Sequence, residues 1–194
     1  MMRFQTGDRL AFGALVSRHK AAVYHFMVRN VRDRATAEDL TQDVFVRMVQ
    51  GAGTFKHEAR FTTWMFAIAR NLCIDHGRRS SHRRVASLEQ PIGGEGGDRA
   101  PTLGDQVADP RPTASAERAL VSADIAGRVN RAVEALPGEQ REVFLLRQVG
   151  RVPFKDIATM TGVSENTVKS RMRYALERLQ ESLMDYEELA RELG

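Results

Sequence analysis

Residues 153–183 read P-F-K-D-I-A-T-M-T-G-V-S-E-N-T-V-K-S-R-M-R-Y-A-L-E-R-L-Q-E-S-L. Phe154, Ile157 and Ala158 have the apolar spacing of a short helix. Gly162 supplies the positive φ that ends a helix sharply. Ser164 is a good N-cap for a second helix, on which Val168, Met172, Ala175, Leu176, Leu179 and Leu183 share one face. The opposite face carries Asn166, Ser170 and Arg173, flanked by Thr167, Lys169 and Arg171. Two short helices, a glycine turn and a polar, basic second helix make a helix-turn-helix, whose second helix enters a major groove. The competing reading is a helical hairpin with a solvated basic face. The small-residue turn and the cap favour DNA reading.

Upstream, Leu120, Ile125, Val129, Val133 and Leu136 predict a helix over 116–136. Pro137-Gly138 turns the chain. A further helix over 139–149 carries Val143, Phe144 and Leu146 and stops at Gly150. Downstream, residues 185–194 form an acidic tail that extends the final helix or frays. These segments delimit a C-terminal domain over 115–184. Before it, Pro91, Pro101, Pro110 and Pro112 and five glycines mix with an excess of acids. Such a segment buries too little to order itself, so 85–114 reads as a flexible acidic linker.

The N-terminal 84 residues predict three helices. The first, over 8–30, is capped by Asp8 and uses Leu10, Phe12, Leu15, Val16, Val23, Phe26 and Met27. In the second, over 37–50, Thr36 and Asp39 resemble a capping box, and Leu40, Val44, Phe45, Met48 and Val49 form the core stripe. Its other side holds Asp39, Gln42 and Asp43, with Val46 in their midst and Arg47 at the edge. An apolar residue in an acidic, amide-rich face fits a protein contact and a solvated face equally well. The third helix, over 62–82, turns Trp64, Met65, Ile68, Leu72 and Cys73 to a core and Arg70, Asn71, Ile74 and Arg78 outward. Aromatics beside a basic helix suit single-stranded nucleic acid, where bases stack on rings and phosphates meet arginines. For Trp64 the core is the better reading.

The chain has 194 residues, 28% of them charged, a net charge of +4 and a pI near 9.6. That balance suits a polyanionic partner. Cys73 is the single cysteine, which excludes an intrachain disulfide and fits a reducing cytoplasm. No apolar run approaches the roughly 20 residues that span a bilayer, so no membrane insertion is expected. Phosphate-binding glycine loops, zinc-protease and serine-hydrolase motifs are missing, and the five histidines lack ligand spacing. Neither an enzyme nor a metal or cofactor is expected.

Two segments carry a family resemblance. The first is A-E-D-L-T-Q-D-V-F-V-R-M over 37–48, followed by F-T-T-W-M-F-A-I-A-R-N-L-C-I-D-H-G-R-R to Arg79. The second is I-A-T-M-T-G-V-S-E-N-T-V-K-S-R-M over 157–172. Together they resemble conserved regions 2 and 4 of the extracytoplasmic-function (ECF) group of bacterial RNA polymerase sigma factors. Asn166 departs from the pattern, standing where many relatives have glycine. The resemblance implies an all-α chain of two small helical domains, σ2 over 1–84 and σ4 over 115–184. It implies core RNA polymerase and promoter DNA as partners, and commonly an anti-sigma factor. It assigns Asp39, Gln42, Asp43, Val46 and Arg47 to the polymerase. Phe61, Trp64, Arg70, Asn71, Ile74, Arg78 and Arg79 go to the −10 element. Ser164, Asn166, Thr167, Lys169, Ser170, Arg171 and Arg173 go to the −35 element. An autonomous repressor or activator would explain the helix-turn-helix but leave the N-terminal domain without a role. A nucleic-acid-processing enzyme would need a catalytic constellation that the sequence does not offer.

Overall fold

The computed structural model describes residues 1–56, 60–88 and 115–192, the backbone alone for 82–88, 115–124 and 185–192. The described residues are helical and contain no strand. The order is α1 (Met2–Gln5), α2 (Arg9–Val31), α3 (Arg34–Gln50), a 3-10 turn (Ala52–Thr54), α4 (Phe61–Leu88), α5 (Ser115–Ala135), α6 (Gly138–Gln148), α7 (Phe154–Thr161) and α8 (Glu165–Glu192). The expected linker falls largely outside the described residues, although α4 runs four residues into it. The acidic tail continues α8 as far as Glu192.

Helices α2, α3 and α4 pack together around Val23, Phe26, Met27, Val44, Met48, Met65, Phe66 and Leu72, all essentially excluded from water. Burying side chains of this size contributes about 1.5–3 kcal/mol each before entropy is counted. Asp8 caps α2 through the Ala11 amide at 3.0 Å, as expected. The cap of α3 differs from expectation. Asp33, not Thr36, accepts the amide, from Thr36 at 2.7 Å, so α3 begins at Arg34. Both aspartates satisfy one of the four amide donors that a helix leaves unpaired at its start.

The second half repeats this logic around α8. Helices α5, α6 and α7 each pack on it, with Val133, Val143, Leu145, Leu146, Ile157, Val168 and Ala175 buried. The two halves do not stand apart. Their buried residues form one continuous apolar cluster.

Four apolar positions expected inside lie outside: Leu10 at 87% exposure, Val49 at 43%, Ile125 at 40% and Leu176 at 46%. Each lies at the edge of a helix's apolar stripe, where neighbouring helices do not reach. Phe66 is the converse, one residue from the expected stripe yet 1% exposed. Gly150, in the turn after α6, lies against its ring, 3.1 Å from where a Cβ would stand.

Candidate nucleic-acid interface

The helix-turn-helix forms as the sequence predicts. Gly162 ends α7 at φ 72°, its amide donating to the Ala158 carbonyl at 2.9 Å. Ser164 caps α8, its Oγ accepting from the Thr167 amide at 3.1 Å and lying 2.8 Å from the Thr167 hydroxyl. Val168, Met172, Ala175 and Leu179 bury one face of α8. That burial turns Asn166, Lys169, Ser170 and Arg173 into solvent at the other face. Lys169 pairs with Glu165 at 2.8 Å along the helix. Arg173 lies 3.6 Å from Glu177 and 4.9 Å from the Tyr174 ring centroid. Arg171 stands apart, half-buried and tied to Glu139 of α6 at 2.6 Å. Its guanidinium therefore helps position α8 against α6. Four exposed polar side chains on one capped helix, backed by a rigid core, can meet base edges and phosphates.

The second candidate surface lies around α4. Phe55, Phe61 and Trp64 form a ring cluster with centroid separations of 5.2, 6.1 and 6.3 Å. His19 adds a fourth ring, 5.3 Å from Phe61, and partial burial with Arg18 nearby lowers its pKa. Phe55 is buried while Phe61 and Trp64 are half-buried, so Trp64 combines core packing with a partly open face. Asn71, Arg78 and Arg79 are exposed and Ile74 is half-buried. Arg79 donates to the Asp75 carbonyl at 3.3 Å.

Arg70 does not face outward as expected. Its Nε donates to the Glu142 carboxylate of α6 at 2.7 Å, with 18% of its side chain exposed. Nothing local to Arg70 signals this partner, 72 residues away. Gln5 was also missed. Its amide donates to the Ala52 and Phe55 carbonyls at 2.7 and 3.0 Å, pinning α1 against the turn before the ring cluster.

On α3, Asp39, Gln42, Asp43, Val46 and Arg47 are all exposed, with Val46 at 51%. Exposed Val49 widens the apolar part of that face. Cys73 lies 3.3 Å from the Met27 sulfur, and burial, reinforced by Glu142, pushes its thiol up to about 12. At that value it is a core thiol rather than a nucleophile. No group of three or more metal-ligating side chains is present among the described residues.

Comparison with known proteins fits this geometry. The family profile for Sigma-70 region 2 matches residues 15–83, and that for Sigma-70 region 4 matches residues 126–179. The ECF RNA polymerase sigma factor SigM of Mycobacterium tuberculosis is 34% identical over 89% of this chain and 77% of its own. The chain belongs to the ECF RNA polymerase sigma factors. The RNA polymerase sigma-H factor of Pseudomonas aeruginosa is 29% identical over 93% of this sigma factor and 90% of its own length. Such relatives are transcription-initiation factors that direct polymerase to promoters, not enzymes. The fold is shared with the sigma factor RpoE solved in complex with the anti-sigma factor NepR from Bartonella quintana. There the TM-score is 0.67 at 22% identity, over 90% of this chain and 97% of that one. No described helix is long and apolar enough to cross a membrane.

Proposed function

We propose that this sigma factor works as two weak DNA-binding modules made effective by polymerase, with the division σ2 over 1–84, linker over 85–114, σ4 over 115–184 and an acidic tail over 185–194. Asp39, Gln42, Asp43, Val46 and Arg47 dock on core RNA polymerase. Phe61, Trp64, Arg70, Asn71, Ile74, Arg78 and Arg79 take the −10 strand as it opens. Ser164, Asn166, Thr167, Lys169, Ser170, Arg171 and Arg173 hold the −35 duplex. Within the last set, Arg173, Ser170 and Asn166 read bases, whereas Lys169 and Thr167 touch phosphates, which position without specifying. Arg171, tied to Glu139, reaches at most a phosphate.

The observation that carries this reading is the exposed Asn166–Ser170–Arg173 face on a capped helix in a chain that also carries the ring-and-arginine surface of α4. Opening DNA costs a few kcal/mol per extruded base, so a strand-capturing surface is needed beside the duplex reader. A linker between the two raises effective concentration without adding contacts.

The protein is cytoplasmic in this reading and is held inactive by an anti-sigma factor, as the RpoE–NepR complex illustrates for a protein of the same fold. Run-off transcription with purified core polymerase on the DNA upstream of the protein's own gene is the test. Specific transcripts that require this protein support the proposal. Binding to that DNA without polymerase, with no transcripts when polymerase is added, would favour an autonomous regulator.

A further inference from the structure

Three arginines converge on the last turns of α5. Arg32, at the end of α2, and Arg141 of α6 both donate to the Glu134 main-chain carbonyl, each at 2.9 Å. Their two donor nitrogens therefore lie within twice that distance of each other. One turn earlier on α5, the Asn130 side-chain carbonyl accepts from Arg29 at 2.7 Å. These acceptors are neutral, and none of the three arginines is ion-paired with an acid among the described residues. Arg70 and Arg171 show the usual arrangement for a half-buried arginine, with carboxylates at 2.7 and 2.6 Å. Arg29 and Arg141 are half-buried without one, and the Arg141 Nε is buried with no hydrogen-bond partner among the described residues.

The surrounding charges leave this corner positive. Burial lowers the pKa of Arg29 and of Arg141, Arg32 lowers that of Arg141 further, and Glu134 opposes the shift in both. Burial and then Arg29 lower that of His25, one turn earlier on α2. Asp33, the acid next to Arg32, is occupied in capping Thr36. The end of α5 supplies about half a negative charge, and the exposed Glu134 carboxylate one more. Three guanidiniums exceed that sum. A half-buried charge is costly unless compensated, so the excess suits an anion from outside the chain.

We propose that Arg29, Arg32 and Arg141 form a binding site for the phosphomonoester group of a small molecule. Such a group carries about −1.5 to −2 charge at pH 7 and three strong acceptor oxygens, which matches the excess better than the single charge of a DNA phosphodiester. A guanidinium has five donors in a fork that fits phosphate oxygens, so the carbonyl contacts leave most of them for a ligand. Exposed Arg32 gives the ligand access, while half-buried Arg29 and Arg141 add charge that solvent screens less. The side chains come from both halves of the sequence, but those halves share one core, so the site is assembled without movement. None of the three is among the residues assigned to polymerase or promoter.

Isothermal titration of the full-length protein with inorganic phosphate, at constant ionic strength set by chloride, tests the site. One phosphate per chain is expected. Arg32→Gln and Arg141→Gln should each weaken binding about tenfold to a hundredfold, the loss of one charge-assisted hydrogen bond. Arg32→Gln changes an exposed side chain and keeps the test open if Arg141→Gln disturbs the fold, which circular dichroism checks. Arg9→Gln removes the same charge at an exposed position elsewhere and should bind as wild type does. Affinity should also rise with pH as phosphate gains its second charge. Failure to bind millimolar phosphate, or binding that both variants retain, overturns the proposal and leaves the arginines as caps on α5. Random-sequence duplex DNA, followed by anisotropy, separates the two sources of phosphate. If either variant loses more DNA affinity than Arg9→Gln, the phosphates belong to DNA and the small-ligand proposal is overturned. Phosphate binding lost in both variants, with DNA affinity equal to that of Arg9→Gln, supports it.

Discussion

Gly162 and Gly150 bracket the first helix of the helix-turn-helix, and substitution at each should have a different cost for a calculable reason. At Gly162 the backbone is left-handed, φ 72° and ψ 23°, and no atom lies within 4 Å of where a Cβ would stand. Gly162→Ala therefore costs only the conformational penalty of an L-residue there, about 1–2 kcal/mol. Asn tolerates this region better, so Gly162→Asn should cost roughly half as much. At Gly150 the φ is unremarkable, but a Cβ would lie 2.7 Å from the Leu146 carbonyl oxygen and 3.1 Å from Phe66. Backbone cannot yield as a flexible side chain does, so Gly150→Ala should cost more, about 1–3 kcal/mol and at times above that. Urea unfolding followed by circular dichroism measures all three, with the slope expected to match wild type. A loss of about 1 kcal/mol lowers the melting temperature by about 4–8 °C in a domain of this size. The reasoning is refuted if Gly162→Ala costs more than Gly150→Ala, or if Asn at 162 is no better than Ala.

Five further outcomes are expected. Asp43→Arg on the exposed face of α3 should weaken binding to core polymerase with an unchanged circular dichroism spectrum, checked by co-purification and far-ultraviolet spectra. Asn71→Ala removes a donor and an acceptor for a flipped base edge, so transcription should fall more on duplex promoters than on premelted ones; equal losses would make Asn71 structural. Arg173→Ala should relax preference at one or two −35 positions, by about 1–3 kcal/mol. Lys169→Ala should weaken all sequences alike and flatten the salt slope by about one unit, as a −35 library at two salt concentrations will test. Cys73 should resist alkylation in the native protein, because its thiol is pushed up to about 12 from an ordinary 9.0. The unfolded chain loses that proton first, so the stabilising contribution is complete below about pH 9 and falls as pH rises towards 12. Alkylation as fast as that of the urea-unfolded chain would contradict this.

Much of the molecule was legible as sequence because its signals are local. Helix α8 is specified by a serine three residues before the amide it caps and by apolar side chains at helical spacing, and the turn by one glycine that tolerates positive φ. Polar face and apolar stripe of α3 were likewise readable, and with them the exposed Val46. The motifs over 37–79 and 157–172 then named the family. Where two local solutions competed, sequence chose wrongly: Asp33 and Thr36 are both competent caps, and only the path of the chain leaving α2 through the left-handed Arg32, at φ 58°, brings Asp33 to the amide.

What tertiary structure alone decided is which faces meet. Periodicity marks a helix face as apolar without saying how far the covering neighbour extends, so Val49 and Leu176 were expected inside and lie outside. Phe66 was overlooked for the opposite reason, since the surface over it comes from the far half of the chain. The same holds for Arg70. Its charge and position were evident, but its partnership with Glu142, 72 residues away, arises only from the approach of α6 to α4. A hydrogen bond depends on a few ångströms of separation in space, and sequence encodes that separation only where the chain between the partners is short and regular.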